Sequence, residues 1–192
     1  MGEHDHVAAV NGGRVGLIIR RMEHDDAARL QEGFAAMGWS KPAGYFESCS
    51  EAQDSGHMEV WIAEVESQYA GHLKLAWHSG SAQNETPEIQ DLAVLPEYRR
   101  RGIAGALLDR AEVSAFERSD IVRIAVGLHP GYNAAQRLYV LRGYVPDGRG
   151  VTYRNQPVAE GAKVRMDDDL VLHLETCRSR GSDLDAMNES GE

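Results

Sequence analysis

The sequence predicts an α/β fold built on a mixed β-sheet, and three observations carry that prediction. Short apolar runs of β type alternate with longer stretches whose apolar residues recur at helical spacing. The order is strand, two helices, three strands, helix, strand, helix and closing strands, which fits helices packed on both faces of a sheet. The length of 192 residues suits one compact domain with a sizeable core.

Val15–Arg20 reads as a first strand. A helix over Asp25–Met37 follows from Ala28, Leu30, Phe34 and Met37, which fall near 3.6-residue spacing. A second, shorter helix spans Pro42–Asp54, with Pro42 in its first turn, where its missing N–H costs nothing. Glu59–Val65 and Gly71–Trp77 form a β-hairpin around a short polar turn near Ser67. After the polar loop 78–86, Ile89–Leu95 is a strand that Pro96 ends. Gly102–Arg118 is a helix with Ile103, Leu107, Leu108, Ala111 and Ala115 on one face, and Val122–Leu128 is a buried strand. Ala134–Arg142 is a helix stopped by Gly143. Tyr144–Val145 and Val151–Tyr153 are read as two strands around a turn at Pro146–Gly148, and Leu170–Leu174 as the last strand. Residues 1–13 and 178–192 read as a disordered leader and a disordered acidic tail, leaving 14–177 as the folded domain.

Composition narrows the function. The net charge of −10 repels nucleic acid and anionic membranes and favours a cationic acceptor such as an amine. No apolar run approaches the roughly 18 residues of a membrane helix, and the polar start of the chain lacks a secretory or myristoylation pattern. The expected setting is therefore cytoplasmic. Two cysteines, Cys49 and Cys177, are too few for a disulfide framework or a four-ligand zinc site, so they read as reduced thiols and no metal is expected.

The chemistry concentrates in LAVLPEYRRRGIAGALL, residues 92–108. A strand runs through an arginine-rich turn into a helix whose first N–H groups have no partner within it. With the helix dipole, this makes an anion cradle. Small residues at Gly102, Ala104 and Gly105 let a pyrophosphate approach the backbone, and Arg99, Arg100 and Arg101 add charge. The segment contains neither GxxxxGK[ST] nor GxGxxG, which excludes a P-loop and a dinucleotide fingerprint.

With Arg99, Gly102 and Ala104 in an [RQ]-x-x-G-x-[GA] pattern, the segment resembles motif A of the GNAT superfamily of N-acetyltransferases. A second stretch, NAAQRLYVLRGYV at 133–145, resembles motif B through Ala135, Leu138, Tyr139, Gly143 and Tyr144. Together these imply the GNAT fold, a mixed central sheet of about seven strands flanked by about four helices, with acetyl-CoA as co-substrate and no metal. The resemblance implies that the backbone of Leu92, Ala93 and Val94 pairs with the pantetheine arm. The N–H groups of Arg100, Arg101, Gly102, Ile103, Ala104 and Gly105 would hold the pyrophosphate. Motif B departs from the family at one point. Asn133 lies one residue closer to Tyr139 than the family's CoA-contacting asparagine, and Tyr132 occupies that register, so either residue is open for the role.

Acetyl transfer to an amine needs a base, an oxyanion donor and an acid for the leaving thiolate. Tyr139 is the candidate acid, since a phenol with a pKa of about 10 stays protonated at neutral pH. The resemblance gives the oxyanion role to the N–H of Val94. Glu88, on the strand leading into Leu92, is the candidate base, acting directly or through water. The gap of about 6 units between an alkyl ammonium and a glutamate makes direct transfer costly unless burial raises the acid. Strict alternation puts Glu88, Gln90 and Leu92 on one face and Asp91 on the other, unless a bulge intervenes. His4, His6 and His129 read as leader and loop residues, and Asp167–Asp169 as a solvated turn or the lining of a cation pocket. Trp39, Tyr45 and Trp77 are placed to shape the acceptor cleft or the core. A closed cleft predicts a small-molecule amine, whereas an open groove predicts a protein N-terminus or lysine. A non-catalytic acetyl-CoA-binding module is the third reading, and the expected assembly is a monomer or a homodimer.

Overall fold

The computed structural model describes residues 16–36, 38–39, 41–77 and 86–178. The proposed leader, all of the proposed tail but Arg178, Met37 and loop residues 78–85 lie outside them. Eight strands form one mixed sheet in the order β1-β2-β3-β4-β5-β8-β6-β7. In chain order the elements are β1 (Leu17–Arg21), α1 (Asp26–Ala36), α2 (Tyr45–Asp54), β2 (Met58–Val65), β3 (Gln68–Ala76), β4 (Glu88–Val94), α3 (Ile103–Arg118), β5 (Ile121–Gly127), α4 (Asn133–Leu141), β6 (Val145–Tyr153), β7 (Gln156–Pro157) and β8 (Leu170–Cys177). Short 3-10 turns at Pro96–Tyr98 and Pro130–Tyr132 lead into α3 and α4.

The hairpin expected near Ser67 closes with a two-residue turn. Val65 pairs with Gln68, and Glu66 and Ser67 both take positive φ, the geometry that matches strand twist. Three expectations shift. Pro42 lies before α2 rather than in its first turn, because its carbonyl accepts from Tyr45 N at 3.2 Å and Gly44, at φ 76, caps the helix. In α1 the buried face runs through Ala27, Leu30 and Phe34, while Ala28 is exposed. The two strands drawn around Pro146–Gly148 are one strand, β6. It pairs with β8 on both sides of a register shift between Pro146 and Val151, so the glycines there accommodate a bulge rather than a reversal.

Two apolar clusters cover opposite faces of the sheet. Under α3, Leu107, Leu108, Ala111 and Ala115 pack with Leu73, Leu75, Ile89 and Ile124, and Tyr139 and Tyr144 join them. Under α1 and α2, Leu30, Phe34 and Phe46 pack against Val60, Ile62 and Ala93. Among the described residues β4 and β5 form the one parallel pair, with α3 as the crossover that such a pair requires. Their pairing covers only Glu88↔Arg123 and Ile89↔Ile124.

The core makes a quantitative expectation. Leu107 is fully buried, so Leu107→Ala should destabilise the fold by about 2–5 kcal/mol in urea unfolding. Val113→Ala, on the exposed side of the same helix, should change it by less than about 0.5 kcal/mol.

Candidate active site

The short β4–β5 pairing has a local cause. Asp91 sits at φ 50, and the β3–β4 register jumps between His72 and Lys74, so one extra residue is bulged into β4. A bulge bends its strand, and here it turns β4 away from β5. Leu95 N donates to Ala70 O on β3 at 2.9 Å. Because backbone groups alternate along a strand, the N–H and C=O of Val94 point away from β3, toward the opening. The Val94 carbonyl accepts from Arg99 Nε at 3.0 Å, which ties the end of β4 to the following loop.

The bulge also corrects the facing of the candidate residues. Leu92 and Val94 pack with Ile89 on the α3 face, and Ala93 packs under α1 and α2. Gln90 is in register with Lys74, itself opposite Val60 of the α1–α2 face, so Glu88 and Gln90 lie on that face. Asp91 joins them there and Leu92 does not, the reverse of strict alternation.

Asp91 is held by a polar cluster. Lys41 and Lys74 each place Nζ 3.1 Å from its Oδ2, and the Tyr45 hydroxyl donates to the same oxygen. Lys74 also donates to the Tyr45 oxygen, and Lys41 lies 4.6 Å from the centre of the Tyr45 ring. Burial pushes the Asp91 carboxyl up, but Lys74, the Tyr45 hydroxyl and Lys41 together outweigh it and hold it well below the ordinary carboxylate range. Tyr45 is thus a clamp between the α1–α2 connection and β4. Trp39, at the same connection, is 40% exposed and edges against Phe34, and Trp77 is core.

Glu88 is half-buried and accepts from Gln90 Nε2 at 3.2 Å. Behind it stands a residue that the linear pattern did not single out, His173 of β8, with Nδ1 3.9 Å from Glu88 Oε1. No motif contains His173, and only the β4-β5-β8 order places it there.

Tyr139 is buried in the α3-side cluster, 5.9 Å from Tyr144 ring to ring. Its hydroxyl has no hydrogen-bonding partner among the described residues. Burial, followed by the nearby Tyr132, raises its pKa above the usual phenol value, so it is a proton donor at neutral pH. Asn133 is exposed on the first turn of α4, whereas Tyr132 is half-buried, with its ring where a Cβ on Gly127 would stand. His129 contacts Asp168 at 2.8 Å. Asp167 and Asp169 are taken up by Tyr153, Arg165 and Arg154, so the aspartate run is a locally paired turn.

At the start of α3, Gly102 adopts φ 74, a left-handed conformation that suits glycine, and Arg100 is also left-handed at φ 59. The first backbone bond of the helix is Ala106 N to Gly102 O at 3.1 Å. Among the described residues, the N–H groups from Arg100 to Gly105 have no backbone acceptor. Ile103 buries its side chain and offers only its backbone to the site. A Cβ on Gly105 would meet nothing within 4 Å, so packing does not require glycine there and the space above it is open.

Residues 24–144 match the acetyltransferase (GNAT) family. The chain belongs to the GNAT family of acetyltransferases. No curated protein matches it in sequence. Solved structures share the fold at low identity. An N-acetyltransferase from Staphylococcus aureus Mu50 superposes with a TM-score of 0.65 at 16% identity, covering 84% of this chain and 98% of that one. The Salmonella typhimurium protein yncA, solved with its cofactor acetyl-CoA, gives 0.64 at 16% identity, covering 87% and 96%. A spermidine N-acetyltransferase chimera from Vibrio cholerae and hSSAT gives 0.62 at 16% identity, covering 84% and 95%. Among the described residues, this acetyltransferase has no helix long and apolar enough to cross a membrane and no group of side chains arranged to hold a metal.

The Asp91 cluster predicts a pH-dependent stability. Asp91→Asn leaves Lys74, 7% exposed, without its anion and should cost about 3–5 kcal/mol at pH 7. The folded carboxyl titrates below the unfolded value of about 3.9, so the wild-type advantage is complete above that pH and is lost as pH falls below it. Urea unfolding of both proteins at pH 7 and pH 3 checks the sign. An advantage that grew on acidification would contradict it.

Proposed function

We propose that this acetyltransferase moves an acetyl group from acetyl-CoA to a primary amine of a small molecule, by direct transfer with both substrates bound. The observation that carries the reading is the row of unpartnered N–H groups from Arg100 to Gly105 beside the opening between β4 and β5. These donors, at the N-terminus of the 16-residue helix α3, suit a pyrophosphate. The exposed Arg100 and Arg101 add charge at its rim. The freed edge of β4 at Leu92–Val94 suits an extended amide-bearing arm laid along it as a further strand.

The candidate acid and base lie on opposite faces of the sheet, Tyr139 on the α3 side and Glu88 on the α1–α2 side. The gap between β4 and β5 is where the two faces communicate. In the proposed reaction Glu88 takes a proton from the acceptor ammonium, directly or through water, and the free amine attacks the thioester carbonyl carbon. The Val94 N–H donates to the oxygen that gains charge. As the C–S bond breaks, Tyr139 gives its proton to the sulfur, the second proton of the attacking nitrogen passes directly or through water to the tyrosinate, and Glu88 releases its own proton to solvent. Burial keeps the Tyr139 phenol protonated at the start of each cycle.

A small acceptor is supported by the Lys41–Asp91–Tyr45 clamp, which fastens the α1–α2 connection against β4 on the sheet face that carries Glu88. Spermidine, named for one structural relative, is an acceptor of the proposed kind. Thiol release from acetyl-CoA across small amines and peptides tests the proposal. Release with peptides alone would move the assignment to a protein substrate, and binding without release would make the domain a sensor.

Two substitutions test the parts. Gly105→Glu places a carboxylate in open space at the cradle without a backbone penalty, so the protein should fold and lose acetyl-CoA binding in calorimetric titration. Unchanged affinity would remove the cradle. Tyr139→Phe should lower kcat by about 10- to 100-fold, the weak end of acid catalysis, with little change in Kd for acetyl-CoA. A lost Kd with normal bound turnover would instead make Tyr139 a cofactor contact.

A further inference from the structure

His173 carries an unexplained buried atom. The residue is 6% exposed, and its Nδ1 is one of two buried side-chain atoms among the described residues with no hydrogen-bond partner. The other, Nε2 of His72, is walled in by the rings of Phe34 and Phe46. Nδ1 of His173 instead faces a carboxylate, 3.9 Å from Glu88 Oε1. On its other side, Nε2 lies 2.9 Å from Thr152 Oγ1 on β6. Buried unpartnered polar atoms are rare, and one aimed at a candidate base calls for a role.

Strand order makes the arrangement possible. Glu88 is in register with Arg123 of β5, and β8 places Glu175 opposite Arg123 and His173 opposite Ala125. Glu88 and His173 therefore meet across β5 on one face. The charged groups around His173 are Glu88 from β4, Arg123 from β5, Asp147 and Arg149 from β6, and Glu175 two residues away on its own strand. Most are paired: Arg123 with Glu175 at 3.3 Å, and Asp147 with Arg149 at 2.5 Å. Among the described residues no lysine or arginine lies within pairing distance of Glu88, and His173 is the basic side chain that faces it.

We propose that His173 is a positioning residue for Glu88. The Glu88 carboxylate selects the tautomer that carries its proton on Nδ1, aimed at it, and the Thr152 hydroxyl, which can donate or accept, then donates to Nε2. The inference rests on Glu88 being the base. A donor aimed at a carboxylate favours its charged form over its protonated one and fixes its orientation. The opposite tautomer would set a nitrogen lone pair against the carboxylate. Burial, with a smaller contribution from Arg149, lowers the His173 pKa, so the donor is a neutral imidazole at neutral pH. The 3.9 Å separation exceeds a hydrogen bond, and such contacts commonly tighten when substrate binds.

The test reads Glu88 itself. The carboxyl of Glu88 is titrated by 13C NMR in wild type, His173→Phe, His173→Asn and Thr152→Val. In His173→Phe the Glu88 pKa should rise by roughly one unit, an ordinary environmental shift. His173→Asn, which keeps an N–H at the Nδ1 position, should hold it near wild type, and Thr152→Val should give an intermediate rise. In wild type at pH 7.5, 15N NMR should show the His173 proton on Nδ1. A proton on Nε2, or a Glu88 pKa unmoved in His173→Phe, overturns the proposal, and the tautomer measurement stands even where a variant fails to fold. Glu88→Gln separates this from the reading beneath it. Turnover undiminished in Glu88→Gln removes Glu88 as base, whereas an unmoved Glu88 pKa beside a defective Glu88→Gln removes only His173.

Discussion

A parallel strand pair that stops after two residues leaves the far edge of β4 at Leu92–Val94 facing an opening, while Ala93 and Val94 stay in register with His72 and Gly71 on the near side. Strand edges inside a sheet normally find partners, because a desolvated N–H or C=O without one is costly. Here the edge stays free because the bulge at Asp91 steers β4 away from β5. The opening beside β4 follows from that divergence.

The bulge is expensive for a non-glycine residue, since Asp91 holds a left-handed backbone and half-buries a carboxylate. Lys41, Lys74 and the Tyr45 hydroxyl offset that cost by surrounding Asp91 Oδ2. The cluster draws on the α1–α2 connection, α2, β3 and β4, so the distortion is over-determined by four parts of the chain. Gly71 allows the remaining close approach. A Cβ there would stand 2.5 Å from the carbonyl oxygen of Ala93, so β3 hugs β4 on the side away from the opening.

The candidate acid and base stand on opposite faces of the sheet. On the α3 face Tyr139 is buried among apolar residues and stays protonated. On the other face Glu88 lies among Gln90, Arg123 and His173, a polar neighbourhood that α1 and α2 do not cover as they cover β2 and β3. The overall charge of −10 is a poor guide to this region, where Lys41, Lys74, Arg123 and Arg149 interleave with the acids. Net charge describes long-range attraction, while contacts at 3 to 4 Å decide what a bound group meets.

The sequence by itself determined the alternation of helices and strands, the buried face of α3 through Leu107, Leu108, Ala111 and Ala115, and the Gly102 entry into that helix. These are local matters: apolar period, turn chemistry and unpartnered N–H groups are written within a few residues of one another. The tertiary structure decided what depends on distant pairing. Which way Asp91 and Leu92 face turns on a one-residue register change against β3, and a period-two pattern inverts when one residue is added. The continuity of β6 through Pro146–Gly148 exists because β8 pairs with both of its ends. His173 meets Glu88 from 85 positions along the chain (173 − 88) only because β8 inserts between β5 and β6, and no local periodicity encodes that order.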